Sequence, residues 1–269
     1  MAEFEAKSDG VSLRGDDDGE GTPVVLLHGL TATRRYVVMG SRSLQRGGHR
    51  VVAYDARGHG TSSPADGYTY AALASDLRAV LDDRGIERAV LAGASMGAHT
   101  IARFALDHLD RVAAVAIVTP AFDPEDDSGT DYDRWNALAE GLRSGGVEGF
   151  VEAYDVEEVP EAWRPTVLRV LQQRLAAHEH PEAVADALEQ VPRSRPFEAW
   201  EDLSAIRVPA VVVASRDEAD PGHPLAVGER YAEAIPGADL LTEDDGASPL
   251  AWQGGQLSRV LAELAARAS

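Results

Sequence analysis

Residues 91–100 read LAGASMGAHT, and the five from Gly93 to Gly97 form a G-x-S-x-G. The run before it, 89–92, is short and apolar, whereas 96–107 carries Ile101, Phe104 and Ala105 at helical spacing. A serine between a strand and a helix, with glycine two positions away on each side, stands on a tight turn that exposes its hydroxyl. Gly93 and Gly97 have a steric reason, because such a turn leaves no room for a Cβ. Ser95 then lies at a helix N-terminus, where unpaired N–H groups and the dipole favour developing negative charge. A serine hydroxyl is a weak nucleophile until a base takes its proton, so the rest of the chain is read for that base.

Outward from this turn the chain alternates. Short apolar, β-branched runs at 24–27, 50–54, 89–92, 112–118, 210–214 and 240–242 are separated by helical patterns at 70–84, 96–107 and 228–234, with 257–266 closing the chain. This alternation predicts an α/β fold: a mainly parallel, doubly wound sheet with helices on both faces. Strands so continuously apolar are expected where both faces are covered. The first twenty or so residues, including Asp16–Asp18 and Gly19–Gly21, read as an antiparallel strand pair with its turns. From 121 to 196 no strand pattern occurs, only amphipathic stretches such as 134–142 and 165–177, punctuated by proline and glycine. The expected organisation is therefore a core domain of 1–120 and 197–269 with a helical cap of 121–196 inserted after one strand. Trp135, Trp163 and Trp200 lie in that segment or just beyond it, where they form the cap's own small core or line an apolar pocket beneath it.

Composition narrows the classes. The chain has 269 residues, 44% of them hydrophobic, and no cysteine. That excludes disulfides, thiolate metal sites, iron–sulfur clusters and a cysteine nucleophile together. With 25 basic and 45 acidic residues the net charge is −20, which repels nucleic acid and anionic membrane surfaces; a GC-rich, salt-tolerant source accounts for it ahead of a role in repelling anionic substrates, and the expected partner is a small apolar acyl substrate. MAEFEAKSDG shows no basic stretch followed by an apolar one, so a cytoplasmic location is expected. No G-x-G-x-x-G or G-K-[ST] is present and no cofactor is expected. Nothing in the sequence specifies an oligomeric state.

Two further motifs are more specific. VVLLHGL, 24–30, is a buried strand ending in His-Gly, and YDARGHGTSSP follows at 54–64. Together with the serine turn they form HG…DxRGHGxS…GxSMG, in that order. On these residues the chain resembles the α/β-hydrolase fold superfamily, of the esterase-like kind, over nearly its whole length and least over the cap. The resemblance implies an eight-stranded-type sheet and a serine hydrolase with Ser95 as nucleophile. It also implies an oxyanion hole from the backbone N–H groups of Leu30 and Met96, aimed at the charge of a tetrahedral intermediate. His28 and His59 are read as structural, satisfying loop backbone groups. The acid is expected on SRDEADPGHP, after the run at 210–214. Asp217 and Asp220 compete there, and Asp220 has the proline four positions later that the family commonly shows. Asp123, after the preceding strand, is a third candidate.

The base is the departure. In the family the histidine follows the last strand, and the corresponding stretch here, TEDDGASPLAW, places Ala247 where it is expected. The histidines are His28, His49, His59, His99, His108, His178, His180 and His223, so none follows residue 223. His223, three residues after Asp220, is the nearest replacement and otherwise a loop histidine bordering the pocket. His99 shares a helix face with the position of Ser95 but reads as packing, because the turn directs Ser95 away from that helix. His178-Glu179-His180 has two metal-type ligands without a third and reads as a solvated cap loop. Three functions therefore stand: a serine hydrolase of a small uncharged ester or related acyl compound, a hydrolase-fold protein that binds an apolar ligand without acyl chemistry, and a non-hydrolytic enzyme in the same pocket.

Overall fold

In the computed structural model, residues 2–126, 132–216 and 220–268 are described, apart from the Glu158 side chain. Eight strands run β1 (Ala2–Ser8), β2 (Val11–Asp18), β3 (Thr22–Leu27), β4 (His49–Tyr54), β5 (Ala89–Ala94), β6 (Val112–Val118), β7 (Ala210–Val213) and β8 (Asp239–Leu241). They form one sheet in the order β1-β2-β4-β3-β5-β6-β7-β8. Only β2 runs antiparallel to its neighbours, and β3 to β8 are mutually parallel where they pair. The helices are α1 (Ser43–Arg46), α2 (Tyr70–Asp83), α3 (Met96–Asp107), α4 (Tyr132–Ala153), α5 (Arg164–Leu175), α6 (Pro181–Gln190), α7 (Leu225–Ala234) and α8 (Gly254–Arg267). Among the described residues no helix is long and apolar enough to cross a membrane.

The strands are apolar throughout because each face has its own cover. Val25, Leu27, Leu91, Val115 and Ile117 pack with Leu77, Ile101 and Phe104 on the side of α2 and α3. The alternate residues Val24, Leu26, Val90, Ala92, Ala116 and Val118 pack with Leu257 and Leu261 of α8. This is the period-two alternation of a strand with both faces buried.

The hairpin turn between β1 and β2 is Asp9-Gly10, both at positive φ, and Asp16–Asp18 belong to β2 rather than to a turn. Their charges are met across the sheet by Arg34, Arg50 and Arg42 respectively.

Between β6 and β7 the chain is helical, as its lack of strand pattern predicts. α4 breaks at Gly146 (φ 61°) and folds back on itself. Gly141 and Gly149 meet there so closely that a Cβ on either would run into the other's backbone. Leu138, Leu142, Phe150, Leu171, Leu175 and Leu188 of this insertion pack in one cluster with Leu30, Tyr68, Tyr70 and Met96. The insertion is thus seated on the ends of β3 and β5, where the serine turn lies.

Candidate functional site

β5 ends at Ala94 and α3 begins at Met96, so the whole reversal falls on Ser95, at φ 52° and ψ −115°. A side chain at positive φ costs roughly 1–3 kcal/mol and persists only where its surroundings impose it. Here they do. The Ser95 N–H donates to the Val118 carbonyl of β6 at 2.9 Å, and the His99 N–H donates to the Ser95 carbonyl at 3.1 Å. A Cβ on Gly93 would strike the Gly97 backbone, and one on Gly97 would strike the Leu27 carbonyl. Both glycines are therefore required by contact, as their spacing predicts. Gly29 lies against the serine, since a Cβ built there would stand 3.4 Å from the Ser95 Cβ.

Leu30 and Met96 are both buried. Among the described residues, neither of their backbone N–H groups has a protein acceptor. Histidines hold the loop that carries Leu30. His28 Nε2 accepts from the Ala56 N–H at 2.9 Å, so its Nδ1–H donates to the Gly29 carbonyl at 2.8 Å. His59 sets one ring nitrogen against the Leu30 carbonyl (2.6 Å) and the other against that of Arg57 (2.8 Å). Burial, aided by the neighbouring His59, pulls the His28 pKa down to about 3 and keeps its ring neutral. Both histidines are structural, as expected.

His178 differs from its sequence reading as a solvated loop residue. Its Nδ1 accepts from the Gly60 N–H at 2.8 Å and its Nε2–H donates to the Thr31 carbonyl at 3.3 Å. It thereby ties the insertion to the Leu30 loop. Its ring stands edge-on to His59, which tilts against His28. Each ring is spent on backbone groups, and no metal-binding group of side chains occurs among the described residues. The YDARGHG loop is locked from below by Arg57, which forks onto Asp76 of α2 with two 2.7 Å bonds.

His99 is also committed. Its Nε2 accepts from the Ala121 and Phe122 N–H groups at 3.0 and 3.1 Å, which leaves the proton on Nδ1 for Tyr70 Oη at 2.9 Å. Burial lowers its pKa to about 3. Asp123 caps the turn after β6 by accepting from the Glu125 N–H.

Past β7 the picture changes. Asp217 lies outside the described residues. Asp220 Oδ1 stands 2.7 Å from His223 Nδ1, with each side chain 22% exposed. Burial opposes charge on both groups, yet mutual attraction wins: the Asp220 pKa falls below the ordinary carboxylate value and the His223 pKa rises above the ordinary imidazole value. Nδ1 is occupied by the carboxylate, and among the described residues Nε2 has no protein partner. Ala247 is held in a tight turn, its N–H donating to the Asp244 carbonyl at 2.9 Å.

Two residues escaped sequence reading. Glu243, just after β8, looks like one more acid in a TEDD run, yet it is buried. It accepts from Ser215 Oγ (2.8 Å), the Arg216 N–H and the Leu250 N–H (3.3 Å), joining the β7 loop to the segment that holds Ala247. Arg174 of α5 lies over the Tyr36 ring, 5.3 Å from its centroid, with a buried Nε that has no hydrogen-bond partner. Only helical phase could have flagged it, since Leu171 and Leu175 on either side are buried.

Known proteins share this fold. Residues 22–153 match a family model described as the alpha/beta hydrolase fold. A protein of Variovorax paradoxus named "Putative carbamate hydrolase RutD" is 32% identical over 210 residues, 77% of each chain. A thermophilic esterase from Thermogutta terrifontis superposes with a TM-score of 0.83 at 23% identity, covering 100% of this chain and 99% of that one. The enol-lactonase from Burkholderia xenovorans gives 0.78 at 26% identity, covering 97% and 99%. The eight-stranded sheet, the serine turn and these similarities agree: the chain belongs to the α/β-hydrolase fold family.

Proposed function

We propose that the protein is a serine hydrolase of a small carboxylic ester or related acyl compound with an apolar part, and that His223 serves as its base. The observation that carries the reading is Ser95 held at φ 52° on the turn between β5 and α3, with Gly29 against it. Ser95 Oγ attacks the carbonyl carbon, and the carbonyl oxygen takes the charge beside the Leu30 and Met96 N–H groups. His223 Nε2 accepts the serine proton, Asp220 orients the ring through Nδ1, and the same nitrogen returns the proton to the leaving alcohol. Water then releases the acid by the reverse route. Support for His223 is its carboxylate bond and its place: β7 lies two strands from β5, about 10 Å across the sheet, on the same C-terminal edge. The helical insertion of 121–196 acts as the cap over this pocket. The carbamate, ester and lactone of the similar proteins' names are acyl compounds of the kind this arrangement fits.

Ala247, at the family's usual histidine position, favours the second reading, in which the pocket binds an apolar ligand without an acyl-enzyme. A fluorophosphonate probe and p-nitrophenyl butyrate separate the two. Rapid stoichiometric labelling and ester turnover, both lost in Ser95→Ala, are expected. Turnover that survives Ser95→Ala, or none in the parent with no labelling, refutes the hydrolase reading.

A further inference from the structure

Arginines at this protein's core–surface boundary are matched to acids. Arg34 meets Asp16 and Asp55, Arg50 meets Asp17, Arg57 meets Asp76, and Arg143 meets Asp186 and Glu189. Arg174 has no such match. Among the described residues no carboxylate comes within ion-pair distance of it, and no acceptor meets its buried Nε. It sits on the α5 face that also carries Leu171, three residues before, so its stem runs inward with the apolar cluster that contains Leu30 and Met96. Its head lies over Tyr36, and its charge acts on Asp220, His223 and His28. Those four residues come from the segments after β3 and after β7, so the Arg174 charge reaches both sides of the proposed pocket. Asp220 acts on the guanidinium only through space: its Oδ1 is bonded to His223, and the two side chains form no ion pair.

A guanidinium kept half-buried with donors unspent is costly unless something with paired oxygens completes it. We propose that Arg174 receives a carboxylate carried by the acyl part of the substrate, so that the enzyme acts on half-esters of dicarboxylic acids or equivalent acid-bearing acyl compounds. This rests on the hydrolase reading and narrows it. The net charge of −20 predicts an uncharged substrate only as a whole-molecule average. Screening limits distant charges to about 8 Å at physiological salt, so the cation in the pocket decides locally. A planar fork with two parallel N–H donors matches a carboxylate better than a point charge would, and lysine is therefore an incomplete substitute.

The test compares mono-p-nitrophenyl glutarate with p-nitrophenyl butyrate in the parent, Arg174→Met and Arg174→Lys, with calorimetric titration of glutarate and glutaramide alongside. A charge-assisted pair gives the parent a roughly ten- to a hundredfold preference in kcat/KM for the glutarate half-ester, carried mainly by KM. Arg174→Met is expected to bring that ratio to one or below, with Arg174→Lys between. Glutarate should bind the parent more tightly than glutaramide does, and Arg174→Met should abolish the difference. A parent that prefers butyrate, or a ratio unmoved by Arg174→Met in a variant that unfolds at the parental temperature, overturns the proposal. If neither ester is turned over, the Ser95 reading has failed, and the glutarate titration still decides Arg174.

Discussion

Replacing His223 with glutamine removes the ring nitrogen that faces away from Asp220 and keeps an amide able to donate to the carboxylate. The size of the effect follows from what else is available. His28, His59, His99 and His178 have both ring nitrogens engaged on backbone groups or, for His99, on Tyr70. His49 begins β4 and His108 follows the end of α3, both at the edge of the sheet opposite Ser95. His180 stands at the N-cap position of α6 without a side-chain cap bond, and among the described residues no carboxylate pairs with it. No reserve base is at hand, so the loss should approach that of a serine enzyme deprived of its base, up to roughly 10⁶ in turnover. About 10³–10⁴ over water should survive from the oxyanion donors and binding. The assay is p-nitrophenyl ester hydrolysis over a range of substrate concentrations that yields both kcat and kcat/KM, followed from pH 5 to 9. Asp220 raises the His223 pKa, and the base works as the neutral ring. The acid limb of kcat/KM therefore falls as pH drops through that raised value, above the ordinary ~6.5 of histidine. Asp220→Asn removes the attraction and should shift the limb to lower pH while lowering the rate by about 10⁴. A His223→Gln enzyme within tenfold of the parent, or an acid limb that Asp220→Asn leaves in place, refutes the assignment.

Ala247→His should add little to the parent, because Asp220 is already bonded to His223, but should restore part of the rate in the His223→Gln background. A gain of several orders of magnitude in the parent would instead show a scaffold that lacked only its usual histidine. Asp76→Ala strands the Arg57 guanidinium, 7% exposed, without its bidentate partner. The cost of breaking such a pair is about 3–5 kcal/mol, which should lower the calorimetric Tm by about 6–20 °C. A fall under 2 °C would show the pair to be dispensable. His178→Ala frees the insertion from the Thr31 and Gly60 backbone groups. It should lower kcat on a neutral ester more than it raises KM, since the contact acts through the Leu30 loop, and an unchanged kcat would show that the loop stands alone.

The fold was legible because its signals are local. Every strand expected from an apolar run appears, and the helices expected at 70–84, 96–107, 228–234 and 257–266 appear within a few residues. Gly93 and Gly97 could be read as steric requirements because strand, turn and helix are contiguous in sequence. The insertion was legible by what it lacks, a two-residue period, but its internal break at Gly146 and the Gly141–Gly149 contact were not. Glycines at those positions are compatible with many turns, and only their approach across the fold-back specifies one.

The site divides along the same line. By itself the sequence determined that a serine stands on a strand-to-helix turn with glycine two positions away on each side, and that the run ending in His28-Gly29 is a buried strand. Each of these depends on residues within a few positions of one another. Tertiary structure alone decided which histidines are spent on backbone groups, because a ring nitrogen's role depends on acceptors and donors brought from distant segments. It spent His178 on Gly60 and Thr31 and His99 on Tyr70, Ala121 and Phe122, and it bonded His223 to Asp220 through Nδ1, with Nε2 unpartnered among the described residues. It also buried Glu243 and left Arg174 without an acid partner among the described residues, two charges that a sequence pattern assigns to solvent. Burial and pairing are properties of where side chains meet, and sequence spacing fixes that only within one element.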